Sequence, residues 1–287
     1  MISPRKHVRT AIATVILATL STFAVAPVLA DGALLRSFQN PTSTSEAIYF
    51  PIGVTFDGLN LYISTPSDDT SGIFQISTTG QLIRTISVLE YAGALAWDGT
   101  NLWVGTFNVH GQSPSATVYK VSVGSTPAVI GKIELNDIFH ADHECGLIDG
   151  LVYDTATNTI FVSPDIGCLN SVVPDACAVG YVYQVDLAGN LVNRIVLPYG
   201  VGGIAKVGNY LYLNDGGCGH TVHKTTLDGT QVSTFSLIMS SSTGHDPEGS
   251  AFDPSTFAPN CALWFQQRIF LNGALTSFIT AYQVDCP

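Results

Sequence analysis

The chain has 287 residues, with 11 Lys plus Arg against 22 Asp plus Glu, for a formal net charge of −11 at pH 7. A surface this acidic repels nucleic acid and anionic lipid and favours cations or neutral ligands. Charged residues are only 11% of the chain, so a local cluster of them stands out.

The first element is an export signal. Arg5, Lys6 and Arg9 precede an apolar run from Ala11 to Leu20, and Val28-Leu29-Ala30 has the small residues of a cleavage site. Residues 1–30 read as a secretory signal peptide, and no other segment approaches the ~20 apolar residues of a membrane span. Its removal leaves 257 residues, 31–287, as one domain with eight basic and 22 acidic side chains, net −14. The expected destination is secreted or periplasmic, where the six cysteines pair rather than stay free.

The mature chain repeats. GALLRSFQN, from Gly32 to Asn40, reads as a single strand. Two alternating strands joined by a turn then recur five times: GVTFDGLNLYIS from Gly53, GALAWDGTNLWVG from Gly93, GLVYDTATNTIFVS from Gly150, GIAKVGNYLYLN from Gly203 and GSAFDPSTFAPNCALWF from Gly249. A third strand follows in every unit (GIFQIS, TVYKVS, YVYQVD, TVHKTT, ITAYQVD). A fourth follows in all but the last (GQLIRTISV, PAVIGKIEL, GNLVNRIVL, GTQVSTFSL). The first strand supplies the missing copy. The pattern predicts an all-β fold, a β-propeller of five four-stranded blades whose last blade is closed by the N-terminal strand; radial stacking buries both faces of each sheet and removes a seam.

These repeats resemble NHL-type propellers and the wider gluconolactonase, paraoxonase and streptogramin-lyase-like group. The resemblance covers the mature chain but rests on structural residues, and those relatives commonly have six blades. It implies a divalent ion, Ca²⁺, held at the channel mouth.

Propeller topology sorts the polar residues. Asp57, Asp98, Asp154 and Asp253 fall in first turns, where carboxylates satisfy backbone N–H groups. The residue before each inner-strand glycine faces the channel mouth: Ile52, Ala92, Asp149, Gly202 and Glu248. Asn214-Asp215 ends a second strand at the same face. Asp149, Asn214, Asp215 and Glu248 are thus the candidate metal ligands, an oxygen-rich set suited to Ca²⁺ and less to Mg²⁺; a solvated polar rim is the alternative. His143 and His245 are the acid–base candidates, and His143, His220 and His245 could instead converge on zinc. No nucleophile motif is present.

Cys261 and Cys286 fall nearly opposite one another across the last hairpin and are expected to pair. Cys168 and Cys177 flank a loop insertion, which leaves Cys145 with Cys218 and makes His140 to Gly150 a disulfide-anchored loop; two thiolates in a metal site is the alternative. Two functions follow. One is a monomeric propeller binding a small molecule, glycan or peptide through top loops 107–116, 164–180 and 239–248, where Phe107 is the prominent aromatic. The other is a Ca²⁺-dependent hydrolase or lyase acting on a lactone or ester.

Overall fold

The computed structural model describes residues 31–41, 51–66, 72–108, 115–166, 176–237, 245–271 and 274–287. The expected signal peptide lies outside them. Strand β1 (Leu34–Gln39) opens the chain. Blade one holds β2 (Val54–Phe56), β3 (Asn60–Thr65), β4 (Gly72–Ser77) and β5 (Leu82–Ile86). Blade two holds β6 (Ala92–Trp97), β7 (Asn101–Thr106), β8 (Thr117–Ser122) and β9 (Ala128–Glu134). A short helix, α1 (Asn136–Ala141), leads to blade three: β10 (Ile148–Asp154), β11 (Thr159–Pro164), β12 (Gly180–Asp186) and β13 (Leu191–Leu197). Blade four holds β14 (Gly203–Val207), β15 (Tyr210–Asn214), β16 (Thr221–Thr226) and β17 (Gln231–Ser236), and blade five β18 (His245–Asp253), β19 (Cys261–Leu271) and β20 (Ala274–Val284).

The fifth sheet has the order β1-β20-β19-β18, so the first strand completes the last blade as expected. Gly32 N–H donates to the Gln283 carbonyl at 2.9 Å and Gln283 N–H to the Ala33 carbonyl at 2.8 Å, which zips the two chain ends together. Strands β19 and β20 run 11 residues each, longer than the second and third strands of the other blades.

Every blade interface carries its own apolar cluster. Tyr62 and Ile73 meet Leu95 and Val104 between blades one and two; Ala94 and Trp103 meet Leu151 and Tyr183 between two and three. Phe161 and Val182 meet Ile204 and Leu211; Ala205 and Tyr212 meet Leu263 and Phe265; Trp264 and Ile279 meet Val54 and Ile63 and close the ring. Near the axis the inner strands approach so closely that a Cβ on Gly53 would lie 2.4 Å from the Gly93 carbonyl oxygen, and one on Gly249 2.5 Å from that of Ile52. That crowding explains why a glycine, Gly53, Gly93, Gly150, Gly203 or Gly249, stands in or just before each inner strand.

The first-turn carboxylates act structurally. Asp57 accepts from Leu59 and Asn60 N–H, Asp98 from Thr100 and Asn101, Asp154 from Ala156, and Asp253 from Ser255 and Thr256. Asp98 and Asp253 also accept the indole N–H of Trp103 and Trp264, at 3.1 and 2.8 Å.

Cys261 and Cys286 are joined as expected. The other expected pairs are corrected: Cys218 bonds Cys177, not Cys145, and so Cys177 does not bond Cys168. The cross-link therefore ties the loop before β12 to the turn after β15 in the next blade. Cys145 is also in a disulfide; Cys168 lies outside the described residues. No helix among the described residues is long and apolar enough to cross a membrane.

Candidate functional site

The channel mouth is divided. On the side of blades one to three it is apolar: Ile52, Phe107 and Leu147 pack together. Phe107, expected as an exposed loop aromatic, is only 5% exposed. On the side of blades three to five the mouth is polar.

Two irregularities in the inner strands place the key acids. The β10–β11 register shifts between Ile148 and Gly150, and the β18–β19 register shifts between Pro247 and Ser250. Asp149 and Glu248 sit inside these shifts, and such irregularities re-aim a side chain out of the regular alternation. Both acids are 4% exposed. Burial pushes the Asp149 carboxyl well above the usual range; Glu248, Asp165 and Asp246 push it further, and Arg268 opposes them. Burial raises Glu248 as well, with Asp246 adding to it and Arg268 again opposing. The two expected axial acids thus belong to one electrostatic group with Asp165 and Asp246.

Arg268 was not anticipated. It lies opposite Asp246 in the β18–β19 register, and its guanidinium bridges the carboxylates of Asp246 and, at 2.7 Å, Glu248. One cation among four acids leaves the group short of positive charge. Asp149 Oδ1 is buried and has no hydrogen-bond partner among the described residues.

Asn214 and Asp215 behave differently from expectation. The Asn214 amide donates to the Glu248 main-chain carbonyl at 2.6 Å and accepts from Gly216 N–H at 3.1 Å. It ties the strand that carries Glu248 to the end of β15. Asp215 accepts from Thr221 N–H at 2.8 Å at the start of β16, and burial raises its pKa. Asn214 and Asp215 thus each hold main-chain groups at the channel mouth. Among the described residues no group of three His, Cys, Asp or Glu could hold a metal ion.

Of the candidate histidines, His143 and His220 lie at the surface. The chain reverses after α1 through His143, whose φ is +64°, and His143, like His140 and His220, faces solvent. His245 opens β18, and its side chain lies outside the described residues. The same reversal turns Glu144 inward: its N–H donates to the carbonyl of buried Phe139 at 2.9 Å, and its side chain is 2% exposed. Burial, then Asp142 and Asp165, push Glu144 up to about 8. The sequence signal for this was present in HADHECG, but the short helix that folds Glu144 under was not.

No family model and no curated protein matches the sequence. Solved structures do. The glutaminyl cyclase of Myxococcus xanthus superposes with a TM-score of 0.56 at 15% identity, covering 88% of this chain and 97% of that one. The tail fibre of Staphylococcus aureus phage P68 superposes with a TM-score of 0.54 at 12% identity, covering 87% of this chain and 53% of that one. At these identities the likeness shows the fold alone.

Proposed function

We propose that this protein is an exported β-propeller that binds a ligand carrying a primary ammonium group, a small amine or a peptide N-terminus, at the axial carboxyl group of Asp149, Asp165, Asp246 and Glu248. The observation that carries this reading is the buried, unpartnered Asp149 Oδ1 within a group whose negative charge Arg268 only partly offsets. An unsatisfied buried carboxyl oxygen is costly, and an ammonium donor supplies both the missing hydrogen bond and the missing charge. The leader-like first 30 residues and the disulfides support export. The resemblance to NHL-type and gluconolactonase-like propellers supports use of the channel mouth as the binding end.

A second reading is enzymatic, and the raised carboxyls of Asp149 and Glu248 favour it, because burial that pushes a carboxyl above its usual range moves it toward that of a general acid or base. Hydrolysis or elimination on a lactone or ester is one candidate reaction. The similar bacterial structure is named a glutaminyl cyclase, so an N-terminal glutaminyl peptide is a second substrate class to assay.

The test is calorimetric titration of the purified mature chain with alkylammonium salts, amino-acid amides and a Gln-initiated peptide, each repeated on Asp149→Asn, with turnover of the peptide, lactones and esters followed in parallel. Saturable amine binding lost in Asp149→Asn supports the binding reading. Turnover lost in Asp149→Asn and Glu248→Gln supports the enzymatic one. Unchanged behaviour of both variants removes the axial group from function.

A further inference from the structure

Strand β14 starts at Gly203, against the Glu248 main chain, and carries the chain away from the channel mouth to Val207. There, at the opposite end of the propeller, a cleft of about 550 Å³ opens between blade four and the end of the chain. Tyr210, Tyr212 and Lys224 form one wall and Asp285, Cys286 and Pro287 the other. Small-molecule sites have volumes of roughly 300–1,000 Å³. The second wall is fixed in place: Cys286 is bonded to Cys261, and Asp285 N–H donates to an Asp31 carboxylate oxygen at 2.8 Å.

The lining selects the ligand. Tyr210 is 38% exposed, and no other aromatic ring among the described residues is as open. It opens the second strand of its blade, where the other blades place Asn60, Asn101, Thr159 and Cys261, so the fold does not require an aromatic there. Lys224 donates to Asp285 at 3.1 Å, pairs with Asp31 at 3.7 Å and lies 4.9 Å from the Tyr210 ring centroid. Two carboxylates around one ammonium repel an anion, and the seated ammonium disfavours a second cation. A neutral ligand remains. The Asp285 side chain is 69% exposed and keeps acceptor capacity beyond its bond to Lys224, and the exposed Asn209 amide beside it can donate and accept. A wholly apolar ligand would strip water from these groups without replacing its hydrogen bonds.

We propose that this cleft binds a neutral saccharide, with the C–H face of one sugar ring laid on Tyr210 and its hydroxyls bonded by Asp285 and Asn209. A hydroxyl donating to a carboxylate makes the stronger, charge-assisted kind of hydrogen bond. None of these residues belongs to the axial group, so this site stands or falls independently of the amine-binding reading.

The test is calorimetric titration of the mature protein with glucose, galactose, mannose, N-acetylglucosamine and their disaccharides, with glucuronate and glucosamine as charged controls. Saturable binding of at least one neutral sugar at millimolar concentration or below is expected, with neither control competing. Tyr210→Ala weakens it at least tenfold while thermal unfolding shows the fold intact. Tyr210→Phe, which keeps the ring, retains it, and so does Asp149→Asn, which separates this site from the axial one. Absence of binding by every neutral sugar at millimolar concentration overturns the proposal. So does binding that survives Tyr210→Ala, or a preference for glucuronate or glucosamine.

Discussion

Arg268 and Glu248 are joined by an ion pair of 2.7 Å, and the same guanidinium bridges Asp246 on the neighbouring strand. Removing this cation strands two largely buried carboxylates. Arg268→Met is expected to cost roughly 3 kcal/mol, the scale of breaking a buried pair by deleting one partner. Because the stranded acids can neutralise by binding protons, the loss should be smaller at pH 5 than at pH 8. Urea unfolding at both pH values measures it.

Stability should fall as pH rises from mildly acidic to alkaline. Glu144 titrates at about 8 in the folded chain and near 4.5 when unfolded; Asp149 and Glu248 are raised in the same direction. The folded state thus holds protons that the unfolded chain releases, and their stabilising effect is lost as pH climbs through the folded values. Asp98 and Asp154 act oppositely: their burial is outweighed by bonds to Lys120 and Lys206, which hold them low, so their contribution disappears as pH drops below 3.8. Denaturant midpoints in metal-free buffer should peak at about pH 4–5, and Glu144→Gln should flatten the alkaline decline.

The N-terminal strand should be indispensable. Deleting residues 32–40 exposes the edge of β20 and opens the seam that the cluster of Trp264, Ile279 and Ile63 seals. An unpaired outer edge invites association. Size-exclusion chromatography should show aggregated or expanded protein, where an equally compact and stable monomer would contradict ring closure.

Non-reducing peptide mapping should recover Cys177 linked to Cys218 and Cys261 linked to Cys286. Replacing the first pair by serines should cost about 2–4 kcal/mol, as for loops of comparable length.

The ring was legible in the sequence because its constraints repeat. Each inner strand needs a glycine where the neighbouring backbone closes in, and first turns reuse an Asp that caps N–H groups, so Gly53, Gly93, Asp57 and Asp98 announce their own positions. The axial placement of Asp149 and Glu248 followed from that topology. The connections above the blades do not repeat. Nothing in the spacing showed that Cys218 reaches Cys177, that Asp215 caps β16, or that α1 and the turn at His143 tuck Glu144 inside. Arg268 was recoverable by following the last hairpin back from Asp253, opposite Ala262, to Asp246. The extra length of β19 and the register shift obscured that pairing.

The most direct test of the axial site is equilibrium binding of a primary alkylammonium salt to the wild-type chain and to Asp149→Asn at pH 7. Saturable one-to-one binding that weakens at least tenfold in the variant is the predicted result, about 1.4 kcal/mol or more. Equal affinity for the two proteins, or no binding of any amine tested, would contradict the account.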